Sequence, residues 1–212
     1  MKNAIIALTV AAAFLLAAII AVLKKKQYGK ILEAIRMKDH QRFAVLCNDD
    51  LTKFLFPEMY LDTLRLDEAM IRNDRAEISY VLARLLKADL SERDREKIYA
   101  QAYNYYLSVH DERRCREWFG RIQKLKNQNL IRECSRTYNI YIEKGDRYLD
   151  EMLEELKETE PEKAGANEYL ISLMYANRKD RANEKKFREL AQTHLKQLDE
   201  KIAGNLSKHK KE

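Results

Sequence analysis

Aspartates recur along the chain at Asp39, Asp74, Asp111, Asp146 and Asp180, at intervals of 35, 37, 35 and 34 residues. Each follows an apolar, helix-forming stretch and opens another. A fixed period in this range points to a helical solenoid, because one helix pair cannot bury its apolar face alone and stacks on the next. The aspartate suits such a hinge. Its carboxylate can accept from the free N–H groups of the following helix's first turn, and its charge suits that helix end. Asp74-Arg75-Ala76-Glu77 has the reciprocal spacing of a capping box, with Asp in place of Ser or Thr. In YNIYIEKGDRYLDEMLEEL, residues 138–156, Gly145 precedes the aspartate, where a left-handed backbone would end the helix without a Cβ penalty. The other hinges carry Lys38, Asn73, His110 and Lys179 there, of which only Asn73 tolerates that geometry well.

Side chains recur around the hinge. Five residues before the aspartates stand Ala34, Ala69, Tyr106, Tyr141 and Tyr175; seven after stand Leu46, Val81, Trp118, Leu153 and Phe187. Four after, Phe43, Ile78 and Cys115 are apolar, but Asp150 and Glu184 are not. These spacings hold one face of each helix against its partner. The pattern predicts helix pairs over 28–38 and 40–54, 57–72 and 75–88, 92–109 and 112–126, 128–144 and 147–159, and 162–178 and 181–199. Pro57 and Pro161 fit first helical positions, and Ser91 is a suitable cap before the third pair. With five glycines, two prolines, sparse Val and Thr and no alternating run, the chain reads as all-α. No Gly/Ser/Pro linker interrupts it, so one α-solenoid of about five pairs is expected over 28–200. The charged segment 201–212, ending SKHKKE, is expected to be a disordered tail.

The first 27 residues obey different physics. Ala4 to Leu23 is an uncharged apolar run, and twenty helical residues at about 1.5 Å each span roughly 30 Å, the hydrocarbon thickness of a bilayer. Helices of water-soluble domains keep one polar face, which this run lacks, and a signal peptide would place its small-x-small cleavage site outside the apolar centre. Here the alanines lie inside the run, and Lys24, Lys25 and Lys26 follow at once. A single uncleaved transmembrane helix over 4–23 is expected, within a membrane-anchor segment 1–27. The heavier cationic flank lies after it, which predicts a cytoplasmic C-terminal domain. Three unpatterned cysteines, Cys47, Cys115 and Cys134, agree with a reducing compartment. A net charge of +6 falls short of the dense basic face that nucleic acid requires, and anionic lipid accounts for the lysines at 24–26.

A helix pair of this length, with Tyr in its first helix and Gly-Asp at the turn, resembles the tetratricopeptide repeat. YNIYIEKGDRYLDEML is the best match and YNYYLSVHDERRCREWF the next. The sequence departs from that family in carrying Tyr103 and Tyr138 where a small residue is usual, eight before the aspartate. Only Cys115 resembles the family's Ala four residues after, and no repeat ends in Pro. The resemblance covers roughly residues 29–197 and implies a right-handed α-solenoid that binds proteins, with first helices lining a concave groove. Aligned on the aspartates, it carries Asn104 and Asn139 onto the inner face, where an amide can bond a peptide backbone. Lys97, Leu107, Arg132, Arg136 and Ile142 fall on the same face, and their cations suit an acidic peptide.

The sequence offers no catalytic or metal-binding constellation. His40, His110, His194 and His209 are scattered, with no HExxH, no paired cysteines, no glycine-rich phosphate loop and no GxSxG. The expectation is therefore a membrane-anchored scaffold for a protein partner, without cofactor or turnover. The alternative is a structural or self-assembling subunit of a membrane-associated complex that uses no peptide groove.

Overall fold

The computed structural model describes the backbone of residues 2–208, with the side chains of residues 12–203 except Glu162. It is all-α, with no strand among the described residues. The helices are α1 (Lys2–Arg36), α2 (His40–Asn48), α3 (Asp50–Leu55), α4 (Glu58–Arg72), α5 (Arg75–Leu85), α6 (Glu92–Ser108), α7 (Glu112–Ile122), α8 (Gln128–Tyr141), α9 (Leu149–Lys157), α10 (Pro161–Asn177) and α11 (Arg181–Lys208). They form two compact units, Met1–Ser91 and Glu92–Glu212, so the domain expected over 28–200 spans both.

Four hinges share one construction. Lys38, Asn73, His110 and Lys179 each adopt a left-handed backbone, with φ of 56, 57, 56 and 63°. The aspartate after each donates its own N–H five residues back, to the carbonyls of Ala34, Ala69, Tyr106 and Tyr175 at 2.9–3.0 Å. That bond, with the one from the left-handed residue three residues back, closes the first helix as a Schellman motif. The same aspartate then caps the second helix: Asp39, Asp74, Asp111 and Asp180 accept from the N–H of Arg42, Glu77, Arg114 and Asn183 at 3.0–3.1 Å. One residue thus ends one helix and starts the next. Lys38, His110 and Lys179 occupy the left-handed position despite their Cβ, at about 1 kcal/mol each.

The fourth hinge differs, and the aspartate register there is displaced by one. Among the described residues no glycine has positive φ; Lys144 is the left-handed residue, at 53°. Gly145 therefore stands where the other hinges have aspartate, and its N–H bonds the carbonyl of Asn139 at 2.8 Å. Asp146 caps no helix, and α9 begins only at Leu149 without a side-chain cap. Counted from Gly145, the four-after and seven-after positions become Leu149 and Met152, both fully buried. Counted from Asp146 they are Asp150 and Leu153, of which the first is exposed. Glycine is required here for space rather than for φ: a Cβ would stand 2.9 Å from Cγ of Asn139.

Other departures have local causes. The second helix of the first pair, expected over 40–54, breaks because Asp49 adopts an extended backbone and caps α3 by accepting from Thr52 N–H at 3.2 Å. α1 runs unbroken from the apolar segment into the first pair, where a separate helix was expected from 28. Inside it, the buried Gln27 donates to Thr52 Oγ1 at 2.7 Å, tying α1 to α3. Pro161 takes the first position of α10, whereas Pro57 lies one residue before α4. α11 continues to Lys208, into the segment expected as a disordered tail; residues 209–212 lie outside those described. The transmembrane expectation lies partly outside them too, since no side chain of 4–11 is described. Among the described residues, no helix is long and apolar enough to cross a membrane.

Within Met1–Ser91, Ile31, Ala34, Phe43, Cys47 and Leu64 form one buried cluster and Leu55, Phe56 and Leu61 another. Within Glu92–Glu212, α6 packs on α7 and α8, α8 on α10, α9 on α10, and α10 on α11. Ile140, Leu149, Met152, Ile171, Met174 and Phe187 form its cluster. Successive first helices are tied by polar bonds about one period apart. The buried Tyr103 on α6 donates to the Cys134 carbonyl at 3.1 Å and lies 2.8 Å from the Thr137 hydroxyl on α8. Asn177 on α10 donates to the carbonyls of Ile140 and Gly145 at 3.1 and 2.9 Å. The large Tyr103 and Tyr138, unusual for the resemblance, sandwich Phe119, which stacks on Tyr138 at 4.2 Å.

The displaced register makes opposite predictions for adjacent residues. Lys144→Gly should stabilise the chain by about 1 kcal/mol by relieving left-handed strain. Gly145→Ala should destabilise it by about 1–3 kcal/mol by overpacking Asn139. Urea unfolding of both variants reads the difference, and a stable Gly145→Ala would overturn the register.

Candidate functional site

The seven residues placed on the inner face do not share one environment. On α6, Lys97 and Asn104 are exposed and Leu107 is half-buried; on α8, Arg132 is exposed; Ile142, just past α8, is half-buried. Arg136 and Asn139 are buried, at 3% and 5% exposure, and cannot face a groove as expected. The cause for Asn139 is the displaced hinge: the position matching Asn104 is Tyr138. Asn139 instead turns inward, accepting from Arg147 N–H at 3.0 Å and donating to Glu143 at 2.7 Å. It is a brace for the fourth hinge, which Asn177 and an ion pair from Arg178 to Asp146 hold from α10.

Arg136 is the centre of a charge cluster. Its guanidinium reaches Glu133 on α8 and Glu151 and Glu155 on α9. Arg132 approaches Glu155 at 3.8 Å. Burial alone would lower the Arg136 pKa, but the hydrogen bonds to Glu155 and Glu151 outweigh it and hold it above its ordinary value. In turn the Arg136 hydrogen bond holds Glu155 below the ordinary glutamate value. This cluster joins α8 to α9, and it uses up the cation the resemblance offered to a peptide.

Hollows also occur among the described residues. In Met1–Ser91, one of about 380 Å³ is lined by His40, Phe43, Cys47, Arg65, Glu68 and Arg72. Its charges satisfy one another: the buried Glu68 pairs with His40 and Arg72, and Arg65 with Glu58 and Asp62. Burial pushes the Cys47 thiol up to about 11, which keeps it protonated at neutral pH. The same holds for Cys115 and Cys134, each raised by burial to about 11. A second hollow, about 650 Å³, lies against α1 between Lys24, Lys25, Tyr28, Phe56, Met59 and Tyr60. In Glu92–Glu212, a recess of about 180 Å³ gathers Arg95, Arg121 and Lys124 beside Tyr99 and Leu125. These sets leave no mark on the sequence pattern, because each is assembled from different helices, at spacings no single-helix pattern links.

Among the described residues no group of His, Cys, Asp and Glu is placed to hold a metal ion. Comparison with protein-family models, with curated proteins and with solved structures finds no match.

The two asparagines should therefore separate on substitution. Asn139→Ala removes a buried amide that bonds Arg147 N–H and Glu143 and leaves its space empty, and should cost about 1–3 kcal/mol, whereas Asn104→Ala should stay within about 0.5 kcal/mol; chemical denaturation distinguishes them. Glu155, depressed in the folded state, contributes stability present above its ordinary value of 4.5 and lost as pH falls through the lower folded value. The urea midpoint should therefore fall below about pH 4.5, less steeply in Glu155→Gln.

Proposed function

We propose that the chain is a membrane-anchored, tetratricopeptide-like scaffold that holds a protein partner along the first helices of its hairpins. The observation that carries the reading is the shared hinge, a left-handed residue followed by a doubly used aspartate, repeated near the tetratricopeptide period. Bonds one period apart between α6, α8 and α10 support stacking of the pairs of Glu92–Glu212 as a short right-handed α-solenoid. In this reading the open positions of the binding face are Lys97, Asn104 and Arg132, flanked by Leu107 and Ile142, and they take an acidic segment of the partner. Arg136 and Asn139 serve the scaffold beneath it.

The anchor is α1. Residues 12–19 are exposed on every side of the helix although they are almost wholly apolar. Such a surface in water would be costly, and lipid around residues 4–23 removes the cost. The lysines at 24–26 then place the hairpins on the cytoplasmic side.

A second reading, a self-assembling structural subunit, draws on Val45 and Phe54, which stand 66% and 75% exposed on α2 and α3. Sedimentation of residues 29–212 separates the two: oligomers abolished by Phe54→Ser favour assembly, and a monomer favours recognition. For the scaffold, a photo-crosslinking residue at Asn104 in native membranes should capture a discrete partner that the same residue at Glu117, exposed on α7, does not. Equal capture from both positions, or capture unaltered by Lys97→Glu with Arg132→Glu, would sink the proposal.

A further inference from the structure

We infer that the hollow at the end of the apolar stretch of α1 binds one anionic phospholipid, with its phosphate on Lys24 and Lys25 and an acyl chain against Phe56, Met59 and Tyr60. The inference rests on the membrane reading of α1 and adds a specific lipid site to it.

The hollow combines two chemistries at one place. Its walls are apolar and aromatic: Ala21, Tyr28, Phe56, Pro57, Met59 and Tyr60. The Tyr28, Phe56 and Tyr60 rings touch one another, with centroids 6.4, 6.2 and 5.4 Å apart. Its rim is cationic. Lys24 lies with Nζ 5.3 Å from the Phe56 ring centre, and neither Lys24 nor Lys25 is paired with a carboxylate among the described residues. At about 650 Å³ the space is ample for part of a ligand of this size.

Position selects the occupant. Lys24 follows Leu23, the last residue of the apolar run, so with that run in the hydrocarbon these two lysines stand at headgroup level. Tyrosine rings with an apolar body and polar tip are at home at the same level. An acidic peptide would match the lysines but would bring backbone groups into a hollow whose walls offer it little hydrogen bonding. A phospholipid brings a phosphate for the rim and only CH₂ groups for the walls, and it is present wherever the helix is inserted. The buried bond from Gln27 to Thr52 fixes α1 against the element that leads to Phe56, so both halves of the site keep their register.

The test uses the full chain. Flotation with phosphatidylcholine vesicles comes first; a chain that does not float overturns the membrane reading and the site with it. Native mass spectrometry from micelles containing equal phosphatidylglycerol and phosphatidylcholine then reads the lipid retained. One retained phosphatidylglycerol in preference to phosphatidylcholine is expected. Lys24→Gln should weaken that preference about fivefold, the effect of one cation near an anionic lipid surface. Lys26→Gln removes the same charge outside the hollow and should leave it nearly unchanged. Met59→Ser should weaken retention of both lipids while helicity, checked by circular dichroism, is kept. A chain that floats but retains both lipids alike, or responds equally to Lys24→Gln and Lys26→Gln, overturns the site and leaves the anchor standing.

Discussion

A two-residue turn carries the fold. At Asp39, Asp74, Asp111 and Asp180 the backbone N–H closes the preceding helix while the carboxylate caps the following one. Because both ends are satisfied by one residue, no slack remains between the helices. The residues four and seven beyond it must then face the partner helix, and that is where Phe43, Ile78, Cys115, Val81, Trp118 and Phe187 are buried. The left-handed residue before each aspartate carries strain of about 1 kcal/mol without glycine. Each buried Ile, Phe or Leu offsets it with about 1.5–3 kcal/mol, so the hinge dispenses with glycine at its left-handed position.

This arrangement explains what the sequence made legible and what it concealed. The helix pairs were readable because period, cap and apolar spacing agree, and from α4 to α10 the observed ends differ from the expected ones by no more than four residues. Gly145-Asp146 conceals its register because both residue types suit a hinge, and the sequence pattern alone aligns the pair with the others. The structure moves glycine into the aspartate's place, since the Asn139 amide already occupies the space a Cβ there would need. A displacement of one residue rotates a helical position by about 100°, enough to carry Asn139 from an exposed face to the interior. The break at Asp49 escaped notice for a similar reason: apolar spacing continues through it, while the side-chain cap that stops α2 is a local competition that periodicity does not register.

Buried polar groups do work of a second kind. Gln27 meets Thr52, Glu68 meets His40, and Glu168 meets His194, while Tyr103 and Asn177 bond backbone carbonyls about one period away. Apolar contacts between helices tolerate sliding; a buried donor without its acceptor costs about 1–3 kcal/mol. These bonds therefore select a register for the pairs of helices they join. The hinges determine how a helix returns, and the polar bonds determine where along its neighbour it comes to rest.

Together the two devices bear on how the first hairpin, within Met1–Ser91, is held. α1 is continuous from Lys2 to Arg36, with the first hinge immediately beyond it. From Leu23 to Arg36 the rise is about 20 Å, and no loop intervenes in which orientation could be lost. With residues 4–23 in lipid, the first hairpin is held at a set height and angle by helix geometry alone, and the Gln27 to Thr52 bond prevents α3 from swinging about it. A scaffold tethered by a flexible linker concentrates its partner near the membrane but leaves its direction free. In the proposed anchoring, a first hairpin that continues directly from the lipid-embedded helix also keeps its own direction, which a flexible linker would not impose.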